Sequence, residues 1–358
     1  MTFNPLLPPS PPTIAVALSG GVDSAVTAWL LKEQGRRVLG LHADLGQDDP
    51  NKIKDLEKLA VFLAIPLHLI PLAQPFREQV SDYLVREYRR GRTPNPCVVC
   101  NQRIKFERLY AEALALGADG LATGHYARIV NVPEGRGLTI ARGLDRTKDQ
   151  SYFLHRLNHE VLPRVLFPLG EMRKDAVRAL AKKIGLPIPQ KEESQDACFL
   201  PAGGYRELLE KEGGPGLAVP GEILDLQGKR LGTHRGLYAY TIGQRRGLGL
   251  PAREPYYVVR MDPANNRLIV GCKKDLASGG LWLRDPHWLI PRPALENLRV
   301  LVQIRYRHRP VGGTLLRSPE GRIGVRFAEP QNAVTPGQAA VFYQEDRVLG
   351  GGWIEEVW

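Results

Sequence analysis

A chain of 358 residues, 43% hydrophobic and 24% charged, is long enough for two or three cores at about 150 residues each, which excludes a disordered or low-complexity protein. No run is apolar and long enough to span a membrane, and residues 1–12, with five prolines and no basic leader, read as a loose tail rather than a signal peptide. The formal net charge of +11 divides into 27 basic against 22 acidic residues up to position 200 and 22 against 16 beyond it, an excess that suits a polyanionic partner contacted along the molecule. The cysteines are Cys97, Cys100, Cys198 and Cys272. They are too sparse for a disulfide-stapled secreted scaffold, so cytoplasmic thiols are expected and a Cys-x-x-Cys pair is redox, metal-binding or catalytic before it is structural.

Strand and helix patterns alternate over residues 13–200, the signature of an α/β open parallel sheet with helices on both faces. An apolar strand over 13–18 runs into Ala17-Leu18-Ser19-Gly20-Gly21-Val22-Asp23-Ser24 and then a helix over 25–34, stopped by Gly35. Such a turn is an anion site: glycines let the backbone approach a phosphate, N–H groups at the helix start point at it, and the dipole favours negative charge. The spacing matches neither a Walker A loop nor a dinucleotide turn. The bland alternative is that Asp23 and Ser24 merely cap the helix.

A second strand over 37–42 follows, then a helix opened by Asp49-Pro50 with Ile53, Leu56, Leu59, Ala60 and Leu63 at helical spacing. A third strand spans 67–70 and a third helix 75–90. Two prolines impose a loop on 91–96, which is expected to deliver Cys97 and Cys100 to an exposed position. Residues 106–116 read as a helix and 120–123 as a strand, with Gly124-His125 just past its end. Ligands bind at the carboxyl ends of parallel strands, so that pair and the 19–24 loop are expected to share one site.

Beyond about residue 200 glycines multiply and apolar runs shorten, the pattern of a β-rich region. Runs at 267–270, 298–306, 322–327 and 339–343 predict a small closed antiparallel barrel at the C-terminus. The expected division is a tail at 1–12, a catalytic α/β domain at 13–200, a small mixed domain at 201–272 and the barrel at 273–358. Within the middle segment Thr241-Ile242-Gly243-Gln244-Arg245-Arg246-Gly247 is the most unusual run. Cys272 ends an apolar strand and is expected simply to pack.

Taken in order, the glycine loop, Asn95-Pro96-Cys97-Val98-Val99-Cys100-Asn101, Gly124-His125-Tyr126-Ala127, Lys148-Asp149-Gln150-Ser151-Tyr152-Phe153, Ser194-Gln195-Asp196-Ala197-Cys198-Phe199 and Gly243-Gln244-Arg245-Arg246-Gly247 resemble the tRNA-specific 2-thiouridylase family of ATP pyrophosphatases. The resemblance covers nearly the whole chain. It implies ATP-driven sulfur insertion at C2 of the wobble uridine, position 34, of tRNA. By resemblance Ala17, Leu18, Ser19, Gly20, Gly21, Val22, Asp23, Ser24, Ala43 and Gly124 hold ATP, with magnesium near Asp23. Cys198 carries a persulfide supplied by a sulfur donor or relay protein, Cys100 is the nucleophilic partner, and the two end as a disulfide. Arg92, Arg103 and Lys105 lie close enough in sequence to Cys100 to favour its thiolate.

His125, Lys148, Asp149 and Gln150 are implied to contact tRNA from the first domain, and Arg305, Tyr306 and Gln338 from the barrel. Residues 305–309 alternate basic and aromatic side chains and are expected on a strand that splits them across two faces. Cys97 departs from members that carry an aspartate there. It either assists as a thiol or joins Cys100 and Cys198 as three ligands for zinc or an iron–sulfur cluster; the metal-free arrangement is favoured. The Gly40-Leu41-His42-Ala43-Asp44 run also departs from the apolar adenine-pocket segment of the family. The rival functions are a ligase that adenylates a small carbonyl substrate on the same loop, and a non-enzymatic RNA- or metal-binding protein.

Overall fold

The computed structural model describes residues 12–133, 137–188, 197–201, 203–214, 216–251, 253–290 and 297–358. The expected tail at 1–11 and Ser194, Gln195 and Asp196 lie outside them. The first 200 residues supply strands β1 (Thr13–Ala17), β2 (Arg37–Asp44), β3 (Leu67–Pro71), β4 (Gly120–Ala122), β5 (Ala127–Asn131), β6 (Leu138–Arg142) and β7 (Val165–Leu166). Five of these form an all-parallel sheet in the order β3-β2-β1-β4-β7. Its order reverses between β1 and β4, the place where open α/β sheets leave a ligand crevice.

Alternation along β1 explains both covered faces. Ile14 and Val16 pack with Leu18, Ala25, Ala28 and Leu31 on one side, while Ala15 joins Leu41 and Leu121 on the other. Helix α1 (Val22–Glu33) is buried on more than one side, because Val26 faces Tyr126, Leu169 and Val177 while Ala25 and Ala28 face the sheet. That second contact seats helix Lys174–Lys183 against α1. Helix α2 (Pro50–Leu63) starts as expected, Asp49 Oδ1 accepting from the N–H groups of Asn51 and Lys52 at 2.8 Å.

The expected loop over 91–96 ends earlier than predicted. Pro96 occupies the first turn of a helix, Pro96–Val99, which passes straight into a wide-turn helix at Cys100–Leu109 and then Tyr110–Ala115. Proline has no N–H to lose at a helix start, so it opens this helix instead of prolonging the loop. Val98, Ile104, Phe106 and Leu109 bury one side of it, and the two cysteines are carried inward with them.

The middle segment forms a four-stranded sheet from β8 (Gly221–Leu224), β9 (Arg230–His234), β10 (Tyr257–Asp262) and β11 (Arg267–Gly271), in the order β10-β11-β8-β9. Strand β11 is the 267–270 run, so that run belongs here and not to the barrel. Its Leu268 and Val270 close a small core with Ile223 and Val258. Cys272 follows β11 and does more than pack: its thiol donates to Asp275 Oδ2 at 2.9 Å.

Strands β12 (Ala277–Trp288), β13 (Arg299–Gln303), β14 (Val311–Arg317), β15 (Ile323–Asn332), β16 (Ala339–Gln344) and β17 (Arg347–Val357) run antiparallel, and pairing of β12 with β17 closes them into a six-stranded barrel. The predicted basic-aromatic strand over 305–309 is absent. Strand β13 stops at Gln303, whose side-chain amide donates to the carbonyls of Arg305 and Tyr306 at 3.2 and 2.6 Å and bends the chain into a turn. Among the described residues no helix is long and apolar enough to cross a membrane.

The β5–β6 hairpin leaves the first domain's sheet and extends the barrel's, with Ala141 paired to Arg347 of β17 and Thr139 Oγ1 donating to the Val348 carbonyl at 2.7 Å. Beside it Tyr152 OH reaches the Ala339 carbonyl at 3.0 Å, and Gln338 Nε2 reaches the carbonyls of Thr93 and Pro94 at 2.9 and 3.2 Å. His155 is fully buried in this seam with Nδ1 on the Tyr152 carbonyl, and burial pulls its pKa from 6.5 down to about 3. The unfolded ring accepts a proton at a higher pH than the folded one, so the stability from keeping it neutral is present above about pH 6.5 and is lost as the pH falls toward 3. Urea midpoints should therefore drop on acidification, and His155→Leu should flatten that drop. An unchanged acid limb in the variant would assign it to other groups.

Candidate active site

The turn between β1 and α1 has the features of an anion cradle. Gly20 has φ +81° and Gly21, the N-cap, offers no side chain to the first helical N–H groups. No acceptor for the N–H groups of Val22 and Asp23 is found among the described residues. Ser24 Oγ holds the turn together, donating to the Gly21 carbonyl at 3.0 Å and accepting from the Ser19 N–H at 3.2 Å. Gly124 arrives from the end of β4 so closely that a Cβ there would sit 2.9 Å from the Asp23 carbonyl carbon and 3.0 Å from the Ser24 nitrogen. Only glycine permits that approach.

Asp23 is clamped by two groups that the sequence did not single out. Lys174 Nζ lies 2.8 Å from each carboxylate oxygen, and Tyr126 OH donates to Oδ1 at 2.8 Å. Tyr126 is held in turn by Gln150, whose Oε1 accepts the Tyr126 N–H at 3.0 Å. Asp149 accepts from the N–H groups of Gly143 and Ser151 and from Ser151 Oγ, while burial pushes its pKa up. Asp149 and Gln150 thus brace the site, and with Lys148 they line the cleft.

On the other flank Ala43, at the end of β2, lines the cleft. The neighbouring His42 is buried with Nδ1 2.7 Å from the Leu18 carbonyl and Nε2 2.6 Å from Asp48 Oδ2. Its place in the run that departs from the family pattern is therefore a structural tie beneath the glycine loop. His125 is also buried, Nδ1 lying 2.6 Å from Thr123 Oγ1 and the ring between Phe106 and Phe167, and burial drives its pKa well below 6.5. It lines the cleft as a neutral imidazole.

The cysteines separate by burial. Cys100 is 7% exposed and Cys97 half-buried, while Cys198 is exposed and lines the cleft. Burial pushes the Cys97 thiol up to about 12 and that of Cys100 up to about 11, with the Lys105 ammonium working against burial at both. Lys105 alone of the three predicted cations acts on them. Arg103 is paired with Glu107, and Arg92 faces Glu87 and Glu355. Charge on Cys100 and Cys198 raises the Cys97 thiol further, and charge on Cys198 raises that of Cys100. No set of three His, Cys, Asp or Glu side chains placed to hold a metal ion occurs among the described residues.

The glycine loop, Ala43, His125, Lys148 and Cys198, but neither Cys97 nor Cys100, open onto one cleft of about 2060 Å³ that runs to Tyr306 and Arg307 of the barrel. Tyr306 stacks on Phe153 with ring centroids 4.3 Å apart. Arg305 is exposed and outside the cleft lining, and Gln338 faces the 93–94 backbone rather than the cleft. Ligand clefts ordinarily measure about 300–1,000 Å³. This one has room for more than a nucleotide.

Sequence profiles agree with this layout. Residues 12–202 match the family described as tRNA methyl transferase HUP domain, 208–272 its PRC-barrel domain, and 278–354 an aminomethyltransferase beta-barrel domain. A tRNA-specific 2-thiouridylase of Syntrophotalea carbinolica is 50% identical, the alignment covering 95% of this chain and 98% of that protein. The chain belongs to the tRNA-specific 2-thiouridylase family. Further members from Geobacter metallireducens and Acidithiobacillus ferrooxidans are 48% and 47% identical, over 96% and 95% of this chain and 96% and 97% of their own lengths. Family membership is consistent with both the glycine loop and the separated cysteines, and excludes neither Lys174 nor Tyr126 from the site.

Two outcomes test this arrangement. Gly124→Ala should leave the fold intact but displace the glycine loop, weakening ATP binding by more than about tenfold; unchanged affinity would mean the loop adapts. Iodoacetamide at neutral pH should label Cys198 first, with Cys97 and Cys100 protected until the chain is unfolded.

Proposed function

We propose that this enzyme is a cytoplasmic, ATP-dependent tRNA sulfurtransferase that thiolates C2 of the wobble uridine. The observation that carries the reading is the shared cleft, in which an anion cradle and an exposed cysteine face the same space. A carbonyl oxygen is a poor leaving group. The uridine C2 oxygen therefore attacks the α-phosphorus of ATP, forming a C–O–P linkage and releasing pyrophosphate toward the loop at Ser19–Ser24, whose N–H groups stabilise it. Asp23 is the carboxylate that would hold magnesium, which would offset the phosphate charge.

The terminal sulfur of a Cys198 persulfide then attacks C2 and expels AMP. Cys100 thiolate attacks Cys198 Sγ, giving a Cys100–Cys198 disulfide and leaving the sulfur on the base as a thiocarbonyl. One disulfide forms as one sulfur–sulfur bond breaks, so the enzyme needs a thiol reductant before the next turnover. The persulfide comes from an external donor protein or relay. Reaching the cleft requires the uridine to be unstacked and turned out of the anticodon loop, and Lys148, His125 and Tyr306 line the path it would take. We assign residues 13–200 to activation and sulfur transfer, 201–272 to a small intermediate domain and 273–358 to RNA contact. Methyl transfer, the reaction named in two of the profile descriptions, has no use for a pyrophosphate cradle or paired thiols. The ligase rival likewise leaves the cysteines without a task.

Two measurements test the reading. Cys100→Ser should retain tRNA-dependent pyrophosphate release within about threefold while forming no thiouridine; loss of both would make the cysteine structural, and release that ignores tRNA would favour the ligase. The pH profile separates the stages. With the Cys100 thiol near 11, its thiolate fraction rises about tenfold per pH unit below that value, so thiouridine release should climb from pH 7 to 9 while pyrophosphate release does not. Parallel profiles would remove Cys100 ionisation from the slow step.

A further inference from the structure

The Gly243-Gln244-Arg245-Arg246-Gly247 run lies outside the cleft and has no part in the chemistry above. Its Arg245, Arg246 and Gly247 line a second groove, of about 630 Å³, together with Arg253, Glu254 and Tyr256. Arg245, Arg246 and Arg253 are exposed. None of the three has an ion-pair partner among the described residues.

The loop that carries them is fixed in place. Gln244 accepts the Thr241 N–H at 3.1 Å through Oε1 and donates to the Arg246 carbonyl at 2.9 Å through Nε2. Gly243 N–H donates to the Val258 carbonyl at 2.8 Å, and Val258 N–H returns to the Gln244 carbonyl at 3.0 Å. Leu248 and Leu250 root the far side in the small domain's core. Gln244 is thus spent on shaping the turn, and the arginines beside it are left for an outside partner.

The backbone adds donors of its own. No acceptor is found among the described residues for any N–H from Arg245 to Leu250. Across Gly247 and Gly249, with φ +78° and +67° flanking Leu248, the sign of φ alternates, the pattern by which successive N–H groups are gathered around an anion. Donors of two kinds therefore share a groove whose lining holds a single carboxylate, Glu254, and guanidinium forks match phosphate oxygens.

We infer that the Arg245-Arg246 loop is a second RNA-binding site, which takes the phosphodiester backbone of the tRNA at a distance from the reacting uridine. This rests on the proposed RNA substrate. Three guanidinium groups beside a single carboxylate fit phosphate contacts, the kind that position an RNA. A preorganised loop binds without the cost of ordering its backbone.

The test is binding of unmodified tRNA to the full chain, measured by fluorescence anisotropy from about 50 to about 300 mM NaCl. R245Q/R246Q should weaken binding about tenfold and reduce the slope of log affinity against log salt by about one to two. R245K/R246K should recover most of the affinity, and pyrophosphate release at saturating tRNA should equal wild type in both variants. Wild-type affinity and slope in R245Q/R246Q would overturn the inference. So would loss of release at saturating tRNA, which would mean damage to the fold, or intact tRNA binding with slowed sulfur delivery from a persulfide-bearing protein, which would make the groove a protein-docking site. A wild-type protein that binds tRNA without releasing pyrophosphate overturns the proposed reaction and leaves this site standing; one that binds no tRNA overturns both.

Discussion

The close approach of Gly124 to the Asp23–Ser24 backbone is the contact on which the site depends. It brings the ends of β1 and β4 together at the reversal of strand order, and so sets the glycine loop against Thr123, His125 and Tyr126. Tyr126 and Lys174 can then meet on Asp23, and helix Lys174–Lys183 is drawn against α1. A side chain at 124 would force the two strand ends apart and disperse all of these groups at once.

The three cysteines divide accessibility from reserve. Cys198 is exposed at the cleft, whereas burial disfavours the thiolates of the half-buried Cys97 and the enclosed Cys100. Lys105 is the one nearby ammonium that opposes this protonation, and it also contributes to keeping His125 neutral. In the proposed cycle Cys100 acts last, and suppressed ionisation at rest would guard against premature disulfide formation.

Much of this was legible in the sequence because it is local. The strand-turn-helix at 13–34, the Asp49-Pro50 helix start and the placement of Gly124-His125 at a strand end all follow from neighbouring residues, and the structure places them so. The Lys174–Asp23 clamp was not legible, since it spans 151 positions and no short pattern marks it. Two of the misread segments failed for one reason, whereas the 267–270 run was read correctly as a strand but assigned to the barrel instead of the middle sheet. At Pro96 and at Gln303 a local rule was outweighed by a specific alternative, a helix that starts on proline and an amide that pulls two carbonyls into a turn. The resemblance named the cysteines, but only three-dimensional packing shows that Cys100 is enclosed.

The hairpin that leaves the first domain to join the barrel sheet has a mechanical consequence. Because Ala141 is laddered to Arg347, with Thr139 and Tyr152 bonded across the same seam, the two walls of the cleft are riveted together and cannot swing like jaws without breaking strand pairing. Opening the cleft at that edge would cost the β6–β17 pairing and both seam hydrogen bonds at once, so the hairpin acts as a stitch between the first domain and the barrel.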